Sequence, residues 1–240
     1  NSAYLMALSY NDGGTLLYTS SVYWAYRNFP TNGTVKLDYS PNRGATWINI
    51  VTNVLVTNGS FFWNASAITS TPVAYWRVVS EADAGVASTN AALFVIKGTN
   101  ELIRFYVNDA STLNDVYCGS PGAVTNDGLS PLSPKLNLQD LLNEYDLGGG
   151  DTVFVDTGIY NLTNTVTLDA PDQGSASSRI TVQGSTNFAA GGSLFDRQTS
   201  ASDVLVVNGS YVRLVDLRLQ GGRYGLSLVQ SKVGCEFERI

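Results

Sequence analysis

Short runs in which apolar and polar residues alternate, separated by turn-forming residues, fill the first 98 positions of the chain. In the run over 35–39, Val35, Leu37 and Tyr39 are apolar and the two residues between them are charged. Because successive side chains of a strand point to opposite faces, this run predicts a strand with one buried face. Runs of this kind cover residues 15–18, 22–26, 35–39, 47–51, 61–63, 75–79 and 92–96. About seven short strands at this spacing predict a two-sheet sandwich of the Ig-like type over residues 1–98.

One amphipathic helix is predicted over residues 136–147, in a chain that otherwise carries few helix signals. Asn137 is its expected N-cap, with Asp140 at the third helical position, and the run 148–150 of three glycines is its expected end. The apolar positions recur at helical spacing: Leu136, Leu138, Leu141, Leu142, Tyr145 and Leu147. This spacing predicts that one face of the helix is buried.

Apolar strand-like pieces follow the helix, at residues 153–155, 166–168, 180–182, 204–207, 211–219, 226–229 and 233–240. A constant offset of 21 residues pairs Val212 with Val233, Leu214 with Cys235 and Leu219 with Ile240. One turn of a repeat fold takes about that many residues, so the offset predicts about three stacked coils, with Cys235 pointing inward. Asp216 opposite Phe237 does not fit this register. No turn or cap follows the last coil, so we expect further coils or another molecule to cover its end.

Three segments of the first part resemble a known module. They are VKLDYSPNRGATW over 35–47, FFWNAS over 61–66 and AYWRVVSEAD over 74–83. Together they resemble the signature of Ig-like modules that are repeated in large bacterial secreted proteins, over most of residues 8–97. The resemblance implies a spacer or binding module and carries no catalytic residues.

Residues 106–160 resemble the entry segment of a second family. The matching pieces are Tyr106 and Val107, TNDGLSP over 125–131, Pro134, and GDTVFVDTGIY over 150–160. In order and spacing they resemble right-handed parallel β-helix proteins of the pectate-lyase-like class. The expected fold is therefore all-β, with an Ig-like β-sandwich followed, over 99–240, by the N-terminal coils of a parallel β-helix that the helix caps. The class includes lyases, hydrolases, epimerases and adhesins, and its enzymes act on polysaccharides at the outer face of middle coils.

The composition favours an extracellular or cell-surface location. Hydrophobic residues make up 44% of the chain but charged residues only 14%, and Asn, Thr, Ser and Gly fill the difference, as suits strands and tight turns. A net charge of −6 without a basic stripe argues against nucleic acid as a partner. No apolar run reaches the ~18 residues of a membrane span, so no membrane insertion is expected. The chain has no histidine, which excludes Ser-His and Cys-His nucleophile pairs.

Aromatic and acidic side chains supply the candidate binding residues. The four tryptophans, Trp24, Trp47, Trp63 and Trp76, either stack on sugar rings or fill the core of the sandwich, and their position in strand-like runs favours the core. A calcium ion is the one cofactor considered, because oxygen ligands cluster in the entry turns. Those ligands are Asp109, Asp115, Asn126 and Asp127, and the alternative is that they only fix the turn backbone.

The two cysteines, Cys118 and Cys235, leave two alternatives open. A disulfide between them would close a long loop and stabilise the fold by up to ~4–5 kcal/mol. The inward position expected for Cys235 favours two free thiols instead.

Two functions remain open. The first is a secreted or cell-surface structural or adhesive protein, with a β-helix shaft and an Ig-like spacer, which self-associates or binds extracellular polysaccharide. The second is the N-terminal portion of a polysaccharide lyase or glycoside hydrolase whose catalytic coils lie beyond this chain. No catalytic residue is assigned, because the carboxylates and arginines after the helix form no recognisable constellation: Asp151, Asp156, Asp169, Asp172, Asp196, Asp203, Asp216, Arg179, Arg197, Arg213, Arg218 and Arg223.

Overall fold

The computed structural model of the protein describes residues 2–98 and 102–240. The chain divides into two compact units, Asn1–Glu101 and Leu102–Ile240. Strands dominate both units, and the described residues contain a single α-helix, so the expectation of a mostly β protein is confirmed. None of the helices in those ranges is long and apolar enough to cross a membrane. The sequence also predicts a short link between the two domains over residues 97–100, and positions 99 and 100 of it lie outside the described residues.

Nine strands form the first unit: β1 (Tyr4–Ala7), β2 (Thr15–Leu17), β3 (Thr19–Arg27), β4 (Thr34–Ser40), β5 (Ile48–Leu55), β6 (Ser60–Asn64), β7 (Thr71–Ser80), β8 (Ala87–Thr89) and β9 (Phe94–Lys97). One sheet has the order β1-β3-β6, and the other has the order β2-β9-β7-β4-β5 with β8 paired to β7. The pairing of β2 with β9 is parallel and the other pairings are antiparallel. A 3-10 turn over Val56–Asn58 separates β5 from β6. Every predicted run contains a strand, whereas β1 and β8 lie outside the predicted runs.

Both faces of the interior strand β4 carry buried side chains. Val35, Leu37 and Tyr39 are buried in the core as their alternation predicts. Asp38, on the opposite face, is also buried at 3% exposure. Its carboxylate lies 2.9 Å from the Arg77 guanidinium, which compensates the charge in this partly covered position. Alternation therefore identified the core face of β4 but not the burial of its polar face.

The second unit contains eleven strands and one helix: β10 (Arg104–Val107), α1 (Leu138–Glu144), β11 (Thr152–Val155), β12 (Gly158–Asn161), β13 (Val166–Leu168), β14 (Ile180–Gln183), β15 (Ser193–Asp196), β16 (Leu205–Val207), β17 (Val212–Val215), β18 (Leu217–Gln220), β19 (Leu226–Leu228) and β20 (Glu236–Glu238). The strands form three sheets with the orders β10-β11-β14-β17-β20, β12-β15-β18 and β13-β16-β19. Within each of the three sheets, all pairings between these strands are parallel. A 3-10 turn covers Phe188–Ala190. Strands β12 and β15 lie outside the predicted pieces.

Side chains of like kind stack inward along the five-stranded sheet. Pairing places one residue of each strand in a single inward row: Phe105, Val153, Val182, Leu214 and Phe237. The first four are fully buried, while the Phe237 side chain is 40% exposed on the edge strand β20. Each turn of chain thus covers the apolar side chains of the turn before it.

The register of the last turn corrects the prediction. Leu214 lies opposite Phe237, an offset of 23 residues rather than 21, so Phe237 and not Cys235 continues the row that contains Leu214. The direction of side chains in a strand repeats every two residues. Offsets of 21 and 23 residues therefore place the same side chains inward, and the alternation of apolar and polar residues cannot distinguish the two registers. The misfit of Asp216 against Phe237 disappears in the observed register. Asp216 has a φ of 58° and breaks the predicted piece 211–219 into β17 and β18.

The helix α1 buries the face that its spacing predicts. Leu138 and Leu141 are fully buried, and Leu142 is 8% exposed. The Asn137 side chain accepts a hydrogen bond from the Asp140 backbone N–H at 2.8 Å, which confirms the predicted N-cap. The predicted end is wrong: the helix stops at Glu144, before the glycines, because Tyr145 takes an extended conformation with φ −130° and ψ 131°. In that conformation the Tyr145 ring packs on Phe105, with centroids 5.2 Å apart.

Candidate binding face

The outer surface of the five-stranded sheet carries two parallel rows of side chains, which we call the outer face. One row consists of Arg104, Thr152, Thr181, Arg213 and Glu236. The other consists of Tyr106, Phe154, Gln183, Val215 and Glu238. The second row changes along the stack from the aromatic Tyr106 and Phe154 to the charged Glu238, and its fourth member, Val215, is buried at 1% exposure.

Three aromatic rings group together at the first strands of the outer face. Tyr106 and Phe154 stack with centroids 5.6 Å apart and an interplanar angle of 24°. Tyr117, from the loop before α1, contacts Phe154 at 4.9 Å, and its hydroxyl donates to the Gly184 carbonyl at 2.9 Å. The rings of Tyr106, Phe154 and Tyr117 are only half-buried, so the group offers an apolar surface next to polar Gln183.

The buried carboxylate of Asp156 holds the loop that contributes Tyr117. It accepts backbone N–H bonds from Val116 at 2.6 Å, Tyr117 at 2.8 Å, Cys118 at 2.6 Å and Thr157 at 2.7 Å. Backbone amides that would otherwise lack partners are thereby satisfied, and the loop is fixed to the end of β11. In the sequence, Asp156 is one of several carboxylates that follow the helix. The residues next to it in the chain do not indicate this anchoring role, and the one signal is its position just after the predicted strand 153–155.

The charged groups on the outer face and beside it are paired with each other. Arg213 bonds Glu238 at 2.7 Å, and Arg179 lies 3.0 Å from Glu236. Asp216 is 1% exposed and accepts hydrogen bonds from Gln183, at 2.7 Å, and from Arg239. The bond from Arg239 is the main reason that the pKa of Asp216 lies below its usual value. Ion pairs of this kind give a solvated, polar surface, and each carboxylate among them is already engaged by a cation.

The predicted calcium ligands lie in two separate turns. Asp109 accepts the Ser111 N–H at 2.8 Å, and Asp127 accepts the Leu129 N–H at 3.1 Å. Asn126 donates to the Pro134 carbonyl at 2.9 Å. These contacts are the turn-fixing roles considered as the alternative. In the described ranges, no three His, Cys, Asp or Glu side chains are grouped so that they could hold a metal ion. Equal melting temperatures in EDTA and in added Ca²⁺ would count against a structural ion.

Asp115 differs from the other three because it is poorly solvated. It accepts a hydrogen bond from the Asn108 amide at 2.6 Å. Burial raises the pKa of Asp115 to about 6, and the charges of Asp156 and Asp109 add to this effect, while the bond from Asn108 opposes it. One oxygen of Asp115 and the side-chain oxygen of Asn108 are buried without a hydrogen-bond partner in the described part of the chain. This loop therefore holds a carboxyl that loses its proton closer to neutral pH than an ordinary aspartate does.

The tryptophans belong mainly to the core of the first unit. Trp24, Trp63 and Trp76 are 3%, 2% and 0% exposed, and the indole N–H groups of Trp24 and Trp76 donate to backbone carbonyls. Trp47 is half-buried, and the Arg77 guanidinium lies over its ring at 4.1 Å. Three of the four rings thus offer no free face to a sugar, as the core alternative predicts.

Cys118 and Cys235 are both free thiols. The disulfide considered as one alternative is therefore not formed in this structure. Burial raises the pKa of the Cys118 thiol, and the neighbouring charge of Asp156 raises it further. This thiol is consequently a poor nucleophile at neutral pH.

Comparison of the chain with protein-family models, with curated proteins and with solved structures found no match.

Proposed function

We propose that the chain is a secreted or cell-surface structural or adhesive protein. In this proposal the second unit is a right-handed parallel β-helix that serves as a shaft, α1 closes its first turn, and the first unit is an Ig-like spacer. The observation that carries the proposal is the parallel register of β10, β11, β14, β17 and β20, which stacks Phe105, Val153, Val182, Leu214 and Phe237 in one row. Right-handedness is expected because parallel crossover connections are almost always right-handed.

The cap and the sandwich support the same proposal. The leucines of α1 are buried against the second unit, as a terminal cap of a stacked structure requires. The first unit has two sheets around one aromatic core, which fits the architecture of Ig-like modules. Most charges on the outer face are paired with each other, which suits a surface that binds or assembles better than one that transfers protons.

Self-association is the first mode of action that the proposal includes. Strands β18, β19 and β20 each lie at one end of their sheet and present an unpaired edge among the described residues. Unpaired edges are templates for pairing with another chain. Light scattering at increasing concentration, with negative-stain images of the same samples, tests this mode: particle size should rise with concentration, and a monomer at every concentration would remove assembly from the proposal.

The alternative is the N-terminal portion of a polysaccharide lyase or glycoside hydrolase. The observation that favours it is the aromatic group of Tyr106, Phe154 and Tyr117, which lies on the outer face, although on the first strands and not on the middle coils where enzymes of the resembled class act. Incubation with polyuronates and with neutral glycans, with and without Ca²⁺, separates the two functions. We expect no new reducing ends and no unsaturated products. Turnover by the 240-residue chain would overturn the structural function.

A further inference from the structure

An open groove runs between the two edge strands β5 and β6 of the first unit, one from each sheet. Its volume is about 410 Å³, within the usual range of small-ligand sites. Tyr39 and Trp63 form part of its floor, and Phe61 is half-buried beside them. Phe62, at the rim, is 64% exposed. The groove is therefore a concave, largely aromatic surface at the side of the sandwich.

Three polar groups in this groove lack partners among the described residues. The Tyr39 residue is 9% exposed, and its hydroxyl, which is not one of the buried unpaired groups, faces solvent in the groove without a partner among the described residues. Asn49 is exposed, and its amide nitrogen lies within hydrogen-bond distance of the Leu37 carbonyl, the Asp38 carboxylate and the Val51 carbonyl, while its side-chain oxygen faces solvent. The Asn64 oxygen accepts from Ser66, which leaves its amide nitrogen unpaired. The groove thus presents a hydroxyl, an acceptor and a donor between aromatic rings.

The charge of the groove limits the ligands that would fit it. None of its lining residues is charged, so an acidic polysaccharide would find no cation and a basic ligand no carboxylate. Sugar hydroxyls both donate and accept hydrogen bonds, and the C–H faces of sugar rings are apolar. A neutral glycan therefore matches both kinds of group in the groove.

A peptide strand added to the edge of β5 fits less well. The pairing of β4 with β5 is interrupted by bulges near Leu37, and Asn53 of β5 has a φ of 57°. The Asn53 N–H is already taken by the Glu81 carboxylate at 3.1 Å. Bulges and covered N–H groups protect an edge against strand addition.

We propose that the groove lined by Tyr39, Asn49, Phe61, Phe62 and Asn64 binds an uncharged glycan chain. The ring of Phe62 packs on one sugar, and the hydroxyl of Tyr39 and the amides of Asn49 and Asn64 bond sugar hydroxyls. This inference assigns a site and a ligand class to the polysaccharide binding that the proposed function includes. It rests on the proposed function for that binding and for nothing else. Turnover would defeat the proposed function while leaving binding in this groove measurable.

The test is calorimetric titration of the full 240-residue chain with cellohexaose, mannohexaose, xylohexaose and, as the charged probe, hexagalacturonate. Production in a host without N-glycosylation keeps Asn64 unmodified, because Asn64-Ala65-Ser66 is an acceptor sequence. We expect at least one neutral hexaose to bind and hexagalacturonate not to bind. Phe62→Ala should weaken binding at least about tenfold, and Tyr39→Phe, which removes only the hydroxyl, about threefold to tenfold.

Tyr4→Ala is the matched control, because Tyr4 is 51% exposed on β1, at the opposite edge of the sheet that contains β6. The affinity of Tyr4→Ala for the neutral hexaoses should equal that of the parent chain. Equal urea midpoints of the parent and Phe62→Ala would show that the variant is folded. Lack of binding by all three neutral hexaoses at millimolar concentration, or equal affinities of the parent and Phe62→Ala, would overturn the proposal. Preferential binding of hexagalacturonate would overturn it as well.

Discussion

The two units build a β core in different ways. In the first unit, β2 at residues 15–17 pairs with β9 at 94–97, so strands from opposite ends of the unit are neighbours. In the second unit, each strand pairs with the corresponding strand of the next turn, and along the five-stranded sheet the offsets are 29, 32 and 23 residues after the entry strand pair. The first core is thus a single closed cluster with three buried tryptophans, whereas the second is a stack of rows. We therefore expect a core substitution to destabilise the whole of the first unit, whereas in the second unit it should destabilise mainly the turns next to the substituted residue.

The chain carries a separate probe for each unit. All four tryptophans lie in the first unit, and both free cysteines lie in the second. Tryptophan fluorescence therefore follows the first unit, and thiol reactivity follows the second. Far-UV circular dichroism follows both.

The largest expected effect comes from one leucine deletion in each unit. Leu37→Ala and Leu214→Ala each remove a fully buried side chain, and each should cost about 2–5 kcal/mol of unfolding free energy. Urea titrations should show Leu37→Ala lowering the fluorescence midpoint and Leu214→Ala lowering the midpoint of thiol protection. Leu17→Ala, at an exposed position, is the control and should change neither by more than about 0.5 kcal/mol. Equal shifts of both probes in both variants would mean that the two units unfold together and that neither core responds on its own.

Removal of the Asp156 carboxylate should open one loop of the second unit. Asp156→Ala leaves four backbone N–H groups without their acceptor and should cost about 4 kcal/mol. Loss of the nearby charge also lowers the pKa of Cys118, so this thiol should react faster while Cys235 keeps its rate. Asp156→Asn retains one acceptor oxygen and should give a smaller change. Mass spectrometry of labelled peptides separates the two thiols, and equal acceleration at both would argue for global rather than local opening.

Acidification should stabilise the second unit through Asp172. This carboxyl is 2% exposed, and burial raises its pKa to about 7, although hydrogen bonds from Leu147 and Asp169 oppose the shift. A carboxyl with a raised pKa in the folded state holds its proton more tightly there than in the unfolded chain. Its contribution to the unfolding free energy is complete below the unfolded-state pKa, near 4, and is lost as the pH rises through the folded-state pKa of about 7. We therefore expect unfolding free energy to increase by about 3 kcal/mol from about pH 7.5 to about pH 4.5.

The control for this prediction is a pair of variants. Asp172→Asn should flatten the pH dependence measured by urea titration with circular dichroism, whereas Asp196→Asn, at a half-exposed site of the same unit, should retain it. A steep dependence that survives in Asp172→Asn would assign the effect to other groups, of which Asp115 is the next candidate.

The smallest expected effect concerns the cap of α1. Asn137→Ala removes the acceptor for the Asp140 N–H and should cost about 1 kcal/mol, while Asn137→Ser retains a capping oxygen and should cost only a few tenths. Thermal melts followed by circular dichroism measure both. Equal losses in the two variants would mean that the cap bond does not stabilise the helix.

Local sequence patterns predicted the elements that are specified by residues only a few positions apart in the chain. The helix α1, its N-cap at Asn137 and the buried face of Leu138 and Leu141 all follow from spacing. Some strands were missed because few of their positions are buried. Strand β12, for example, buries only Tyr160 among its four positions, so no alternation was visible.

The candidate sites were less predictable, because they are made by residues far apart in the chain. Tyr117 meets Phe154 only because Asp156 bonds the loop backbone at residues 116–118. Likewise Phe62 lies beside Asn49 in the groove only because each belongs to the edge strand of a different sheet.

Local patterns in the chain are enough to predict that this protein is built from strands with one amphipathic helix, because alternation, helical spacing and capping act over short distances. Tertiary structure alone decided which strands are neighbours, the offset of 23 that places Phe237 beside Leu214, and the burial of Asp38 and Asp156. The reason is physical: a two-residue repeat fits several registers equally well, and only the packing of complete turns against one another selects among them.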